Sequence, residues 1–286
     1  NYDLRLTYNQ NFDRFSVSAT LGGNRMYQKT TFSSVTTTGG ISLDKFWHLS
    51  NSVGPLQYDA GTNISEWGIN SIYALASFGW DGMVFVDVSG RNDWASTMPE
   101  SENSFFYPSV STSFVFSELP IFDGSIISFG KIRAGYGEAA NDASPYSLET
   151  TYSTVLPNFG SAPRYTLPGT RNNPNLLPEF TKEFEIGLQM NFWTDRLGFD
   201  LTYYDRETSD QIIPVDVSPT TGFTSQFINA GTMRNSGIEL MINAVPVRVG
   251  DFEWGLNFNF ATYNNEVVEL AEGIQSIGRG GTWAAE

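Results

Sequence analysis

The stretch EFEIGLQMNFW (183–193) alternates without a break. Phe184, Ile186, Leu188, Met190 and Phe192 share one parity, and Glu183, Glu185, Gly187, Gln189 and Asn191 share the other. A pleated strand sends alternate side chains to opposite faces, so this segment predicts a strand with one apolar and one polar, acidic face. The same period recurs along the chain, and almost nothing shows helical periodicity. Tyr2, Leu4, Leu6 and Tyr8 alternate with polar residues, as do Phe15, Val17, Ala19 and Leu21. Trp67, Ile69, Tyr73 and Leu75 share a parity, followed by Val84, Val86 and Val88, then Val110, Phe114 and Phe116, then Ile132, Ala134 and Tyr136. Leu197, Phe199, Leu201 and Tyr203 come next, then Ile238, Leu240 and Ile242, and last Phe252, Trp254, Leu256, Phe258 and Phe260. The pattern predicts an all-β chain of about ten strands, most near the 9–11 residues of a tilted transmembrane strand.

The connections alternate in length. Short turns are predicted at QNFD, WDG, LPIFDG, TDR and RVGD, and long loops at 25–63, 91–106, 138–181 and 209–232, with a trailing segment after the last strand. Antiparallel up-and-down barrels of the outer membrane have short periplasmic turns and long extracellular loops. A Greek-key sandwich has no reason to gather its long loops at one end. Aromatic residues suggest two belts where amphipathic rings meet lipid headgroups. One holds Tyr8, Phe12, Phe15, Phe78, Trp80, Phe192, Trp193, Phe252 and Trp254 near the short turns. The other holds Tyr2, Trp67, Tyr107, Tyr136, Tyr203, Tyr204 and Tyr263 near the long loops. Within strands, Asp3, Arg5, Asp87, Lys131, Arg133, Glu185, Asp200, Glu239 and Glu253 all take the polar parity. A Lys or Arg facing lipid at the bilayer midplane costs roughly 2–4 kcal/mol. The apolar parity is therefore predicted to face lipid.

Composition narrows the function classes. The 286 residues carry 16 Lys plus Arg against 31 Asp plus Glu, a formal charge of −15. That balance argues against a nucleic-acid partner, which requires clustered cations. There is no cysteine, so disulfides, thiolate metal sites and a cysteine nucleophile are excluded. No apolar run is long enough for a transmembrane helix. The opening NYDLRLTYNQ already reads as a strand and lacks a signal-peptide pattern, so the chain is expected to be an internal piece of something longer.

Four stretches, in order, carry a family resemblance. DVSGRNDWASTMPESENSFFYPSVSTSFVFSE (87–118), KIRAGYGEAAND (131–142), NPNLLPEFTKEFEIGLQMNFWTDRLGFDLTYYDRETSDQI (173–212) and INAGTMRNSGIELMINAVPV (228–247) resemble the barrel of SusC/RagA-type TonB-dependent transporters. Most of these residues have structural duties. Asn173 to Glu179 shapes a loop entering a strand, Gly231 and Gly237 bracket a strand entry, and Pro108 is expected at a strand start. The resemblance implies a plugged barrel of about 22 strands, whose plug and remaining strands are not in this sequence. It further implies localisation in the outer membrane of a Gram-negative, Bacteroidetes-like cell. The implied activity is nutrient import, of oligosaccharides or peptides, with a SusD-like surface lipoprotein over the mouth and TonB acting through the missing N-terminal part.

A sugar or peptide ligand would be met by loop aromatics beside amides and carboxylates. Asn92, Asp93, Trp94, Phe105, Phe106, Asn141 and Asp142 are the ligand-binding candidates, with Trp47, Tyr146, Tyr152 and Tyr165 as further loop aromatics. For any single one, packing against neighbouring loops or the lipoprotein is the more common role. No catalytic residue, metal ligand or cofactor is expected. His48, with Asp44 four residues earlier, is the sole candidate for the competing class, a self-contained ten-stranded omptin-like protease, and nothing around it carries such a motif. A passive porin is the other alternative, since a polar wall suits a water-filled pore equally well.

Overall fold

A computed structural model of the chain describes residues 1–58 and 63–270. The trailing segment predicted beyond the last strand, with its GRGG, lies outside the described residues. Ten long strands form one antiparallel sheet in chain order: Tyr2–Phe12, Phe15–Phe32, Asn63–Trp80, Val84–Ala95, Ser104–Val115, Ile127–Asn141, Glu179–Phe192, Leu197–Ser209, Thr232–Val249 and Phe252–Glu269. They are called the first to the tenth strand below. Every neighbour in the sheet is a neighbour in sequence, the up-and-down order predicted from the alternation. Among the described residues the first and tenth strands do not pair with each other, so this sheet does not close on itself.

The register settles which face is which. Directly opposed residues share a face, so a row of partners can be followed across all ten strands. One such row runs Phe12, Phe15, Trp80, Val84, Phe114, Ile132, Leu188, Leu201, Leu240, Phe260 and is apolar at every position. A row on the other face runs Thr7, Thr20, Leu75, Ser89, Ser109, Gly137, Glu183, Arg206, Asn235, Asn265. Its neighbours bond side chain to side chain, as at Thr7–Thr20 (3.0 Å), Ser89–Ser109 (2.6 Å), Glu183–Arg206 (2.5 Å) and Asn235–Asn265. Phe12 is the last residue of its strand whereas Phe260 lies well inside Phe252–Glu269. The apolar row therefore climbs away from the short turns as it crosses the sheet, as tilted barrel strands require.

Three sequence-based expectations need correction. In the third strand, Trp67, Ile69, Tyr73 and Leu75 lie on the polar, inner face, because Tyr73 opposes Arg91 and Leu75 opposes Ser89. The lipid parity there is Ile72, Ala74, Ala76, Phe78 and Trp80, with Phe78 opposite Val17 and Val86. The long-loop aromatic belt likewise divides. Tyr2, Tyr136 and Tyr203 point outward, but Trp67, Tyr107, Tyr204 and Tyr263 take the inner parity. Lastly, 91–106 is not a loop. The fourth and fifth strands continue to Ala95 and from Ser104, leaving only 96–103. Pro108 consequently falls within the fifth strand, opposite Gly90 and one residue before pairing to the sixth strand begins at Ser109, not at the strand's start.

Large inner side chains are seated over glycines of a neighbouring strand. The Tyr73 ring covers Gly22, Tyr204 covers Gly237, and the Arg133 guanidinium covers Gly187, where an added Cβ would stand 2.6 Å from Arg133 Cζ. A glycine inside a strand weakens it unless something approaches closely, and here each supplies that clearance. Apolar burial is sparse in the sheet itself, because one face meets lipid and the other is polar. The main buried cluster, Ala95, Met98, Phe105, Ala143 and Leu176, gathers instead at the long-loop end, with Ile212 and Phe227 packed against it. It ties the connections 96–103, 142–178 and 210–231 into one packed collar.

At the opposite end the turns are cross-linked. Arg14 grips both carboxylate oxygens of Asp81 (Nε to Oδ1 3.0 Å) and lies 5.8 Å from the Trp80 ring centroid. Bonding to Arg14 holds the Asp81 carboxyl below its ordinary range.

Candidate functional site

The inner wall and the collar above it are the surfaces that a permeating solute would meet. Along the wall of the sixth to eighth strands, Arg133 reaches across Gly187. It donates to Glu185 Oε1 (3.2 Å), to both oxygens of Asp200 (3.0 and 2.8 Å) and to Thr202 Oγ1 (2.5 Å). One guanidinium thus serves three strands, and the fork geometry matches the Asp200 carboxylate bidentately. Glu239, opposite Thr202, and Glu183, paired with Arg206, extend this charged half of the wall. The first five strands present a different surface, small hydroxyls at Ser18, Ser77, Ser89, Ser109 and Ser111 with Asp87 among them.

Higher on the wall, Asp93 is 6% exposed. It accepts from Tyr107 Oη (2.7 Å) and Arg91 Nε (2.8 Å), while Arg91 also donates to Ser71 Oγ (2.8 Å). Tyr73 continues the chain by donating to Asp3 Oδ1 (2.8 Å), with Arg91 stacked 6.0 Å from its ring centroid. This network links the first, third, fourth and fifth strands. Sequence reasoning missed Arg91, Tyr107, Ser71 and Tyr73 as its members. Their only sequence signal is a polar or aromatic parity inside strands that pair far apart in the chain.

The seven predicted ligand residues do not form one cluster. Asn92, Asp93 and Trp94 sit consecutively in a strand and alternate faces: Asp93 points inward, opposite Phe105, while Asn92 and Trp94 take the outward parity, with Asn92 opposite Phe106. Asn92 Nδ2 donates to Ser104 Oγ (3.0 Å). Phe105 is part of the buried collar, 5% exposed, whereas Phe106 and Trp94 are exposed. Asn141 opposes Glu179 at the end of the sixth strand. Asp142 accepts the Thr97 hydroxyl, clamping 96–103 to the next loop.

Of the other loop aromatics, Trp47 is 84% exposed, and Tyr146, Tyr152 and Tyr165 are also exposed. Tyr146 Oη accepts the backbone N–H of Glu66 (3.1 Å). Trp47 stands on a tightly organised loop. Buried Asn51 accepts from the Leu43 N–H (2.9 Å) and donates to the carbonyls of Leu43 and Phe46 (2.8 Å each). His48 is turned to its own backbone, Nδ1 accepting from the Ser50 N–H (3.1 Å), and stacks on Phe46. Asp44 is not among its bonded partners in the described residues. Nor do those residues bring together three metal-ligating side chains.

A single apolar face running unbroken across ten tilted antiparallel strands, backed by a hydrogen-bonded polar wall, defines a section of a transmembrane β-barrel of the outer membrane. The chain belongs to the TonB dependent receptor-like, beta-barrel family, whose pattern it matches over residues 1–283. It is 30% identical over 239 residues to TonB-dependent receptor P26 of Formosa agariphila, covering 81% of this chain and 24% of that protein. It is also 30% identical over 163 residues to TonB-dependent receptor SusC of Bacteroides thetaiotaomicron, covering 54% of this chain and 16% of that one. Among solved structures, the RagAB peptide transporter superposes with a TM-score of 0.80 at 23% identity, over 95% of this chain and 30% of the other. A ferric enterobactin receptor of Pseudomonas aeruginosa aligns with a TM-score of 0.58 at 19% identity, over 91% of this chain and 35% of that one. The chain spans about a quarter of the length of the first curated relatives it matches. The family's members are transporters of the outer membrane, and the short turns are periplasmic and the long loops extracellular, as the alternation predicts.

Proposed function

We propose that this chain is part of the wall and extracellular collar of a SusC-like active importer that takes up oligosaccharides or peptides. A SusD-like lipoprotein would cap the mouth, and TonB would act on a plug carried elsewhere in the parent protein. The observation that carries the reading is the unclosed sheet. Two edge strands with unpaired backbone groups in lipid would cost several kcal/mol per group, so further strands of a larger barrel must flank the first and tenth. That favours a wide transporter over a self-contained ten-stranded protease or porin. Loop packing supports a mouth that is already shaped before a ligand arrives, with Asn141 on its inner parity and Asp93, Phe105 and Asp142 holding the collar in form, whereas Trp94 and Phe106 stand on the outward parity. The solved structure titled a peptide transporter supports the peptide class, and the oligosaccharide class rests on the resemblance to SusC-type transporters.

The experiment is uptake by cells carrying or lacking the full-length gene, supplied with labelled oligosaccharides and labelled peptides, with and without an uncoupler. Loss of uptake of one class in the deletion strain, and its abolition by the uncoupler, is the expected result. Uptake that persists in the presence of the uncoupler would replace active import by passive diffusion.

A further inference from the structure

The outward face of a barrel is convex, so a hollow forms in it only where the floor drops away between taller side chains. The second to fourth strands provide such a floor. On the lipid parity, Ala19, Ala74, Ala76 and Gly90 lie side by side across these three strands. Leu6, Tyr8 and Leu21 rise along one side. Phe106 rises along the other, its ring laid over Gly90 so that a Cβ there would stand 2.9 Å from Phe106 Cζ. The result is a groove of about 710 Å³, whose outward-parity lining is apolar but for the Tyr8 hydroxyl. By contrast, the outward row Ile132, Leu188, Leu201, Leu240 of the sixth to ninth strands has a bulky side chain at every position.

Heights compare directly along a single strand. On the second strand, Phe15 belongs to the aromatic girdle beside the short turns, and Ala19, Leu21 and Arg25 follow it on the same parity. At about 3.4 Å per residue and a tilt of roughly 40°, they stand about 10, 16 and 26 Å above Phe15. The apolar band of an outer-membrane barrel is about 25 Å tall. The groove therefore lies around and above the middle of the hydrocarbon, and Arg25 at its outer boundary. Arg25 is exposed between Tyr2 and Asn70 and makes no ion pair among the described residues. The next charges up the same face, Lys29 and Glu66, neutralise each other.

Hydrocarbon restricts what can fill such a groove. Water finds no polar partners there, and an empty groove forfeits dispersion contacts along every wall. A transmembrane helix, about 10–12 Å thick, is wider than the floor, which spans two strand spacings or about 9.6 Å. A methylene chain is narrow enough to touch the floor and both rims at once. The unpaired cation above the groove favours an amphiphile with an acidic head over an apolar protein segment. We propose that the groove is a fixed seat for an acyl chain of an acidic outer-leaflet lipid, with Arg25 holding the headgroup and Ala19, Ala74, Ala76 and Gly90 the chain. Lipid seated there differs from the layer that merely coats the barrel, because its chain is enclosed on three sides and its head is held by charge.

The test uses the full-length protein in phosphatidylcholine vesicles with a trace of photoreactive lipid, either phosphatidylglycerol or phosphatidylcholine, bearing a diazirine midway along one chain. Cross-linked peptides are quantified by mass spectrometry, and the peptides holding Leu188 and Leu201 serve as the reference surface. About ten extra atomic contacts suffice for about a fivefold preference, so the phosphatidylglycerol probe should label positions 74–76 about fivefold more than the reference. Ala74→Leu with Ala76→Leu, which fills the floor, should bring labelling down to the reference. Arg25→Gln should cut the preference for phosphatidylglycerol over phosphatidylcholine about fivefold. Equal labelling of groove and reference in the unaltered protein would overturn the proposal, as would an unchanged headgroup preference in the assembled Arg25 variant. So would capture of a protein instead of a lipid by a diazirine-bearing residue placed at position 76 in native outer membranes.

Discussion

Gly187→Ala tests whether the inner wall is organised around a single arginine. A Cβ at position 187 would lie 2.6 Å from Arg133 Cζ and Nε and 2.9 Å from Nη2. The obstruction is the tip of a flexible side chain, so Arg133 moves and the backbone does not. Its bonds to Glu185, Asp200 and Thr202 are then lost or stretched. Hydrogen bonds to charged groups are worth about 1.5–3 kcal/mol each when well shielded. Here Arg133, Asp200 and Glu185 side chains are 27%, 30% and 40% exposed, so water compensates much of the loss and about 1–2 kcal/mol in total remains. Against this, alanine in place of glycine inside a strand stabilises by roughly 0.5–1 kcal/mol. The net expected effect is a destabilisation of about 0.5–1 kcal/mol. In an Arg133→Met background the clash and the bonds are both gone, so the same substitution should stabilise. Four variants of the full-length protein, unfolded by urea in lipid vesicles and followed by tryptophan fluorescence, complete the cycle. An equal cost of Gly187→Ala in both backgrounds would refute the clearance argument.

Other consequences are simpler to check. Leu188→Arg, in the all-apolar row, should destabilise the folded protein by roughly 2–4 kcal/mol, while Gln189→Arg, one residue on and facing the lumen, should cost little; the same vesicle unfolding measures both. Asn51→Ala removes three bonds from a residue 6% exposed; the loop carrying Trp47 should become a preferred protease site, with cleavage mapped by mass spectrometry and the barrel intact. The Asp81 carboxyl, held down by Arg14, contributes its linkage between the first two periplasmic turns above the unfolded carboxylate value and loses it only as pH falls through the depressed one. A carboxyl titration by NMR should place Asp81 below an unpaired aspartate, and Arg14→Gln should return it to the ordinary range.

Much of the fold was legible because lipid imposes a demand that few other environments do. Outward residues within the hydrocarbon must be apolar, and the row that climbs from Phe12 to Phe260 satisfies this at each step, so period-two alternation suffices to find most of the strands. It failed on the third strand, where Tyr73 and Leu75 on the inner parity are as greasy as Ile72 and Phe78 on the outer. Only the partners Gly22, Arg91 and Asp3 show that Tyr73 is a polar-network residue. It failed again over 91–106, because the inner face of that hairpin is buried in the collar through Asp93, Ala95 and Phe105 while Asn92 and Ser104 make its outer face polar, so the apolar-out alternation of a lipid-facing strand is lost. The short 96–103 and the longer periplasmic 116–126 also reverse the length rule locally, although the order of turns and loops stands. Burial of Asp93 and Phe105 was not readable at all, since Tyr107, Met98, Ala143 and Leu176 reach them through tertiary pairing alone.

The central claim is that hydrocarbon covers one parity of these strands and water the other. Nitroxides placed one at a time from position 183 to 192 in the reconstituted full-length protein, with collision rates measured against oxygen and against a water-soluble nickel chelate, test it directly. The account requires oxygen to dominate at 184, 186, 188 and 190 and the chelate at 185, 187 and 189, with period two. Chelate access at every position, or the opposite phase, would contradict it.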